Sequence, residues 1–378
     1  MRTLLAKPAV RDTLRIVLAV VVSLALGFII TLFVSKDPVG AYRAFLLGPL
    51  SKLNRIGDWL EESISLILLG LAVGLAFKAK QFSLGQEGQM VVGALVSGVI
   101  ALFLPIPLLM RVPLALIAAA LVGFVWGAIP GYLKAYLDCN EIVSTLMLNA
   151  IAVRLYDYFL IFHIKPPGAG YNASDFFPEE GILPSFIPDL PFLNAVRTLF
   201  VNQTNITIML YLVVIAFVIT YYLMYRTPFG YELRMVGENI KFARYGGINT
   251  RLTIILVFAV SGIFAGLAGA HLAMGIHTKL IANITVSLGF EGIVVAIMAR
   301  NNPLFIPIAG LAYGYMRAGA DVMERASDVS REMVLIIQAI IILLVTAERI
   351  LPMVQQQISA RRSARENEAL AEGGNNVA

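Results

Sequence analysis

Apolar runs long enough to cross a bilayer recur along almost the whole chain, and this one feature excludes a soluble fold. A hydrocarbon core of ~30 Å needs about 20 helical residues at ~1.5 Å each. Blocks of that order lie at 13–34, 61–79, 86–104, 112–136, 141–162, 206–225, 252–274, 303–319 and 332–351. A tenth block, 286–299, is too short to cross alone and reads as a half-helix entered by non-helical chain. Such chain is tolerated at membrane depth only inside protein or beside a water-filled cavity. With 58% hydrophobic and 14% charged residues, the composition agrees. The expected fold is an all-α integral membrane protein of about ten transmembrane helices, with a membrane domain over 1–352 and a polar cytoplasmic tail over 353–378.

The net charge of +5 is spread over short connections rather than gathered in one basic patch, which points to membrane orientation and not to nucleic acid. Lys78 and Lys80, Lys134, Arg226, Arg234, Lys241, Arg244 and Arg251, Arg300, and Arg349 with Arg361, Arg362 and Arg365 all fall on one side if both termini are cytoplasmic. The loop 35–60, with Lys36, Arg43, Lys52 and Arg55, is the exception. The Pro- and aromatic-rich stretch 163–205 is then an ordered outer loop and 226–251 an inner one. Arg2, Lys7, Arg11 and Arg15 precede an apolar run too long for a signal-peptide core, so it reads as a retained first span. Cys139, the one cysteine, excludes an internal disulfide and a cysteine metal cluster.

An internal repeat orders the spans. Ser83-Leu84-Gly85-Gln86-Glu87-Gly88 recurs as Ser287-Leu288-Gly289-Phe290-Glu291-Gly292. Pro113-Leu114 matches Pro303-Leu304 and Glu141-Ile142-Val143 matches Glu332-Met333-Val334 at nearly constant offset. One copy begins on the inner side and the other on the outer, so about 60–162 and 252–351 are expected to be inverted-topology repeats, an architecture of transporters. Gly70/Gly74, Gly123/Gly127/Gly131, Gly262/Gly266 and Gly310/Gly314 place smooth faces for close helix approach.

Few residues carry chemistry. A charged Glu within a span costs about 2.5–3.5 kcal/mol on insertion scales, so Glu291 and Glu87 need a partner, a wet cavity or a proton. Two readings stand: helix starts with Ser83 and Ser287 as N-caps and the carboxylates in the first turns, or a solute path or gate. Ser144, Thr145 and Asn149 are open to the same pair of readings, a polar route or bonds between helices. His163, His271 and His277 share no ligand spacing, and no phosphate-binding Gly-rich loop or nucleophile elbow occurs, so neither an enzyme nor an ATP site is expected in this chain.

Four segments carry a family likeness: Gln81–Gln89, the run Asn140–Asn149, Gly230–Asn239 through Tyr245-Gly246-Gly247-Ile248-Asn249, and Gly289–Ile293 through Arg300-Asn301-Asn302-Pro303-Leu304. Over about residues 60–350 the chain resembles ABC-importer permeases of the branched-chain amino acid, ribose and nucleoside superfamily. Within it, the chain looks most like the longer permease of nucleoside importers that depend on a basic membrane lipoprotein. The resemblance implies a type II-like permease in a bacterial plasma (inner) membrane, paired with a second permease, either a shorter paralogue or another copy. It also implies two cytoplasmic ATPases, which would hold ATP and Mg, and an external solute-binding lipoprotein or periplasmic protein. Glu87, Gln89, Ser144, Asn149, Phe290 and Glu291 become the candidate pathway or gate residues. The expected solute is small and neutral, most readily a nucleoside, because few Lys or Arg interrupt the spans to meet an anion. A sugar, a furanone or a branched-chain amino acid stays open, as does an ion-coupled secondary transporter.

The inner stretch 226–251 gains a role from the same likeness. Leu233, Val236, Ile240 and Ala243 recur at steps of three, four and three, drawing one stripe along a short surface helix that Gly246-Gly247 would end before Asn249 caps the next span. This helix is expected to couple to the ATPase through Glu232, Leu233, Val236, Glu238, Ile240, Lys241 and Arg244, with cofactors and catalysis absent from the chain itself.

Overall fold

The structure, a computed structural model, describes residues 25–187, 204–285, 287–330, 332–337 and 339–340. Most of the first expected span, most of the last, residues 188–203 of the outer loop and the tail 353–378 lie outside the described residues. Two compact units emerge, one of residues 1–47 with 319–378 and one of residues 48–318.

The described residues form helices and irregular connections, with isolated bridges in place of strands. In chain order they are α1 (Ala25–Val34), α2 (Pro38–Leu47), α3 (Leu53–Lys78), α4 (Gln86–Phe103), α5 (Leu108–Leu137), α6 (Glu141–Phe159), α7 (Met209–Arg226), α8 (Pro228–Glu238), α9 (Ile240–Tyr245), α10 (Thr250–His271), α11 (Leu288–Met298) and α12 (Ile306–Ala326). Among the described residues, six helices are long and apolar enough to cross a membrane: α3, α4, α5, α6 with its π-turn Leu160–Ile164, α7, and α10 with its π-turn Leu272–His277. α11 is the short half-helix expected at 286–299. α12 covers the expected span 303–319 but carries Arg317, Asp321, Glu324 and Arg325.

Helix α3 starts at Leu53, not at 61, and so absorbs part of the loop expected over 35–60. Its first turns contain Arg55, Asp58, Glu61 and Glu62. Charge there reads as a helix boundary in a sequence, but two of these carboxylates are met by partners on other helices, described below. From Ser63 to Ala76 every residue of α3 is buried.

Glycine sets how closely this core packs. A Cβ built on Gly262 of α10 would run into the carbonyl of Gly123 on α5, and one on Gly123 into the carbonyl of Gly262. The backbones therefore touch directly, as small-residue steps allow. On the other side of α3, Gly70 faces Val295 and Ile306 at 2.9 Å, and Gly310 of α12 faces Ile67 at 2.5 Å. The outer helices α5, α6 and α7 instead expose Leu121 and Val125, Met147 and Ile151, Val218 and Ile219, the composition of a lipid-facing surface.

In the other unit, Asp328 accepts hydrogen bonds from the Ser35 hydroxyl (2.5 Å) and the Lys36 amide (2.8 Å). The Ser35 bond is the main reason its carboxyl is held below the usual carboxylate range.

Gly262→Val should lower membrane abundance and thermal stability in detergent, because overpacking a filled contact costs about 1–3 kcal/mol. Gly246→Ala, whose Cβ would meet nothing nearer than 3.5 Å, should leave both near wild type. Equal stability of the two variants would remove the close α5–α10 contact from the fold.

Candidate functional site

The two copies of the repeated motif meet in space. In the first, Lys80 takes a left-handed conformation (φ 53°) and turns the chain off α3 into a non-helical run that leads to α4. Asn149 of α6 clamps this run: its amide nitrogen donates to Leu84 O (2.7 Å) and its amide oxygen accepts from Gly88 N (2.9 Å). Thr145 Oγ1 accepts from Leu84 N at 3.3 Å. In the second, non-helical chain leads into α11 and the segment around Ser174 and Phe177 holds it. Ser174 N donates to Leu280 O (2.8 Å), Leu280 N to Ser174 Oγ (2.9 Å) and Phe177 N to Thr278 O (2.9 Å). The hydroxyl of buried Tyr156 donates to Ile281 O at 2.8 Å.

Glu87 joins the copies. Its carboxylate accepts from the Thr285 hydroxyl and from Gly289 N (2.8 Å), so the glutamate of the first copy caps the helix opened by the second. A Cβ on Gly289 would lie 2.6 Å from Glu87 N, which only glycine accommodates at this approach. The serine caps expected from the sequence are not formed. Gly85 occupies the α4 N-cap and Ser287 the α11 N-cap, neither with a side-chain cap bond. Ser83 instead accepts from Gln86 Nε2 at 3.3 Å. Two helix N-termini, each with positive dipole character, thus converge on one carboxylate.

Glu291 has a cationic partner that the sequence reading missed. Arg317 Nη1 lies 2.7 Å from both of its carboxylate oxygens, and Arg317 Nε is 3.4 Å from Glu62 Oε2. All three side chains are about a quarter exposed, and Phe290, which precedes Glu291 in the chain, is exposed. The other candidates look inward. Gln89 is buried, Asn149 and Thr145 are engaged with backbone, and half-buried Ser144 donates to Glu141 O at 3.2 Å. The structure therefore brings Glu87, Glu291 and Phe290 to the motif junction and makes Asn149 and Thr145 its clamps.

A second missed constellation is fully buried. His271 Nε2 meets Glu61, His271 Nδ1 is 2.9 Å from Ser65 Oγ, and Glu61 also accepts from Thr207 N. It ties α3, α10 and the chain leading into α7 together, with each carboxylate oxygen and ring nitrogen partnered. Its only sequence signal was Glu61 four residues before Ser65 on one helix face. Among the described residues no group of His, Cys, Asp or Glu is arranged to hold a metal ion.

The inner stretch forms two helices, not one, because Asn239 ends α8 and caps α9 by accepting from Lys241 N (3.0 Å) and Phe242 N (3.1 Å). Asn249 caps α10 through Leu252 N (3.2 Å), as its position implied. Of the apolar stripe, Leu233, Val236 and Ala243 are buried against Leu75, Met224, Val257, Ile254 and Phe258 of the membrane helices, and Ile240 is exposed. Glu232 is drawn in too, accepting from Thr253 Oγ1 at 3.1 Å. Tyr231, Glu238, Ile240, Lys241, Phe242, Arg244 and Tyr245 make up the exposed side.

Comparison with known proteins gives these clusters a setting. The family model described as "Branched-chain amino acid transport system / permease component" matches residues 55–346. The chain is 32% identical over 333 residues to the glucose ABC transporter permease protein of Haloferax volcanii, covering 88% of this chain and 87% of that one. It is 31% identical to the guanosine ABC transporter permease protein of Bacillus subtilis (87% and 92% covered). It is 29% identical to a nucleoside ABC transporter permease protein of Lactococcus lactis subsp. cremoris (94% and 96%). No solved structure matches the chain.

Glu87→Gln keeps one acceptor for the α11 cap, whereas Glu87→Leu leaves a buried N–H unpaired at about 1–3 kcal/mol. In equal-expression membranes the Leu variant should lose thermal stability and the Gln variant should retain most of it. If Leu were as stable as Gln, the cross-copy cap would contribute nothing.

Proposed function

The chain belongs to the permease-component family of branched-chain amino acid transport systems, and from that premise we propose that it forms the membrane route for a neutral nucleoside. It is a multi-pass ABC transporter permease subunit, and the finer reading adds its solute, its partners and its orientation. The observation that carries the solute reading is the charge beside α11: among the described residues the Arg317 cation is bracketed by Glu62 and Glu291, which leaves it poorly placed to meet an anion. Two of the relatives act on guanosine or nucleosides by name. A glucose permease among them keeps a sugar as the second reading.

On this reading ATP is hydrolysed by two separate ATPase subunits, a second permease completes the route, and an external solute-binding protein delivers the solute. Both termini are cytoplasmic in a bacterial inner membrane, and the segments around α3–α6 and α10–α12 are inverted repeats. The convergence of the α4 and α11 N-termini supports this, since helix ends meeting within the membrane are how such repeats build a solute site.

The ATPase contact then falls on the exposed side of α8 and α9. Phe242 and Tyr245, flanked by Glu238, Lys241 and Arg244, offer side chains to a groove, while Leu233 and Val236 anchor the helix to the permease.

In the reconstituted importer, uptake of guanosine should exceed that of its monophosphate by more than about tenfold; preference for the monophosphate would reject a neutral-solute route. Phe242→Asp should leave abundance unchanged yet sharply reduce solute-stimulated ATP hydrolysis and uptake. Val236→Asp should lose the folded protein instead, since it buries an unpaired charge at a cost of several kcal/mol. Full coupling in Phe242→Asp would move the ATPase contact elsewhere. Orientation is read in a Cys139→Ser background: an impermeant thiol reagent on sealed cells should label Asp175→Cys and spare Arg244→Cys, and the reverse pattern would invert the topology.

A further inference from the structure

The Glu62–Arg317–Glu291 group sits where charge is hardest to explain as mere scaffolding. Its depth follows from helix lengths. Arg300, Asn301 and Asn302 form a polar turn between α11 and α12, with Arg300 and Asn301 in left-handed conformations. Glu291 lies nine residues before Arg300 on or just off α11, and Arg317 lies eleven residues after Ile306, the start of α12. A Cβ on Gly74 of α3 would be 3.9 Å from Asn301 Cα, so Gly74 is level with that turn, and Glu62 lies twelve residues further along α3. At ~1.5 Å per residue the three charges stand ~14–18 Å from the polar turn, near the middle of a ~30 Å hydrocarbon core.

Charge at that depth does not face lipid. Yet the three side chains are 24–26% exposed, and Phe290, next to Glu291 in the chain, is 41% exposed. The surface they share must meet water or a polar partner. Glu61, one residue from Glu62, shows the contrasting case: it points into the core and is sealed by His271 and Thr207.

We infer that Glu62, Arg317 and Glu291, with Phe290 next to Glu291 in the chain, form a water-exposed recognition point midway along the solute route, in which two carboxylates face one guanidinium. Such a point suits a neutral solute with hydrogen-bond donors and a flat ring. The carboxylates accept from its N–H or O–H groups, Phe290 gives a face to stack on, and Arg317 keeps both carboxylates in position. The solute class rests on the nucleoside reading; the placement and charged groups of the site do not.

The test reads water and charge directly. In a Cys139→Ser background, Phe290→Cys is introduced into the assembled importer in proteoliposomes. It is treated with a cationic and an anionic methanethiosulfonate reagent, each rate normalised to that with a free thiol. Ile219→Cys, on the exposed apolar face of α7, is the lipid control. Phe290→Cys should react at least about tenfold faster than the control and favour the cationic reagent, and guanosine should slow it. Glu62→Gln should reduce the cation preference while keeping the Glu291–Arg317 pair. Adding Glu291→Gln, which removes both carboxylates that face Arg317, should reverse it. Labelling no faster than at Ile219→Cys, or a preference unmoved by Glu62→Gln, would overturn the inference. Fast, cation-selective labelling that guanosine does not slow would retain the charged aqueous point and reject its nucleoside role. Failure of the wild-type importer to take up any nucleoside would reject only the proposed function.

Discussion

A helix that starts inside protein begins with peptide N–H groups that need an acceptor, and much of this structure is arranged around that need. For α11 the acceptor is Glu87, which takes the Gly289 N–H from the other copy of the motif. Placing that carboxylate requires the non-helical run before α4 to be held at the right depth, which Asn149 and Thr145 do. It also requires glycine at 289 so that the two chains can touch. The segment around Ser174 and Phe177 completes the arrangement by bonding the chain that leads into α11.

The two copies solve the same problem differently. Counted from the matched Pro113 and Pro303, the position fourteen residues on is Gly127 in one copy and Arg317 in the other. Gly127 lets the backbone of α5 approach Phe258 of α10. Arg317 instead holds Glu291, so the second glutamate turns to a salt bridge where the first turns to a helix end. At this matched position a smooth face stands in one motif copy and a cation in the other, which makes the two chemically distinct.

Much of the frame was legible. Apolar length found the helices, the short block at 286–299 announced the half-helix α11, and Asn249 announced the start of α10. Periodicity drew the stripe Leu233, Val236, Ile240 and Ala243, of which Ile240 is exposed, but could not say which way the rest faced, because an amphipathic pattern is the same whether its apolar side meets a partner or the chain's own core. The charged start of α3 was misread for a related reason. Glu61 and Glu62 look like the edge of a span until His271 and Arg317, over 200 residues away, are seen beside them. The Ser287 cap gave way to a carboxylate from the other copy of the motif, while at α4 the N-cap falls on Gly85 rather than Ser83. Long-range pairing of polar groups is what a single sequence does not display.

The fit of α8 against α3 has one more consequence. A Cβ on Gly237 would strike the carbonyl of Lys78 and come within 3.0 Å of Ala79 Cα, and Lys80 Nζ reaches Glu238 O at 3.4 Å. No compressible side chain lies between the two backbones at this joint. The joint is backbone on backbone, so α8 and the end of α3 are fixed to one another without an intervening side chain to yield. The same helix, α3, carries Glu61 and Glu62, so its position sets at once the sealed bond to His271 and the exposed pair with Arg317.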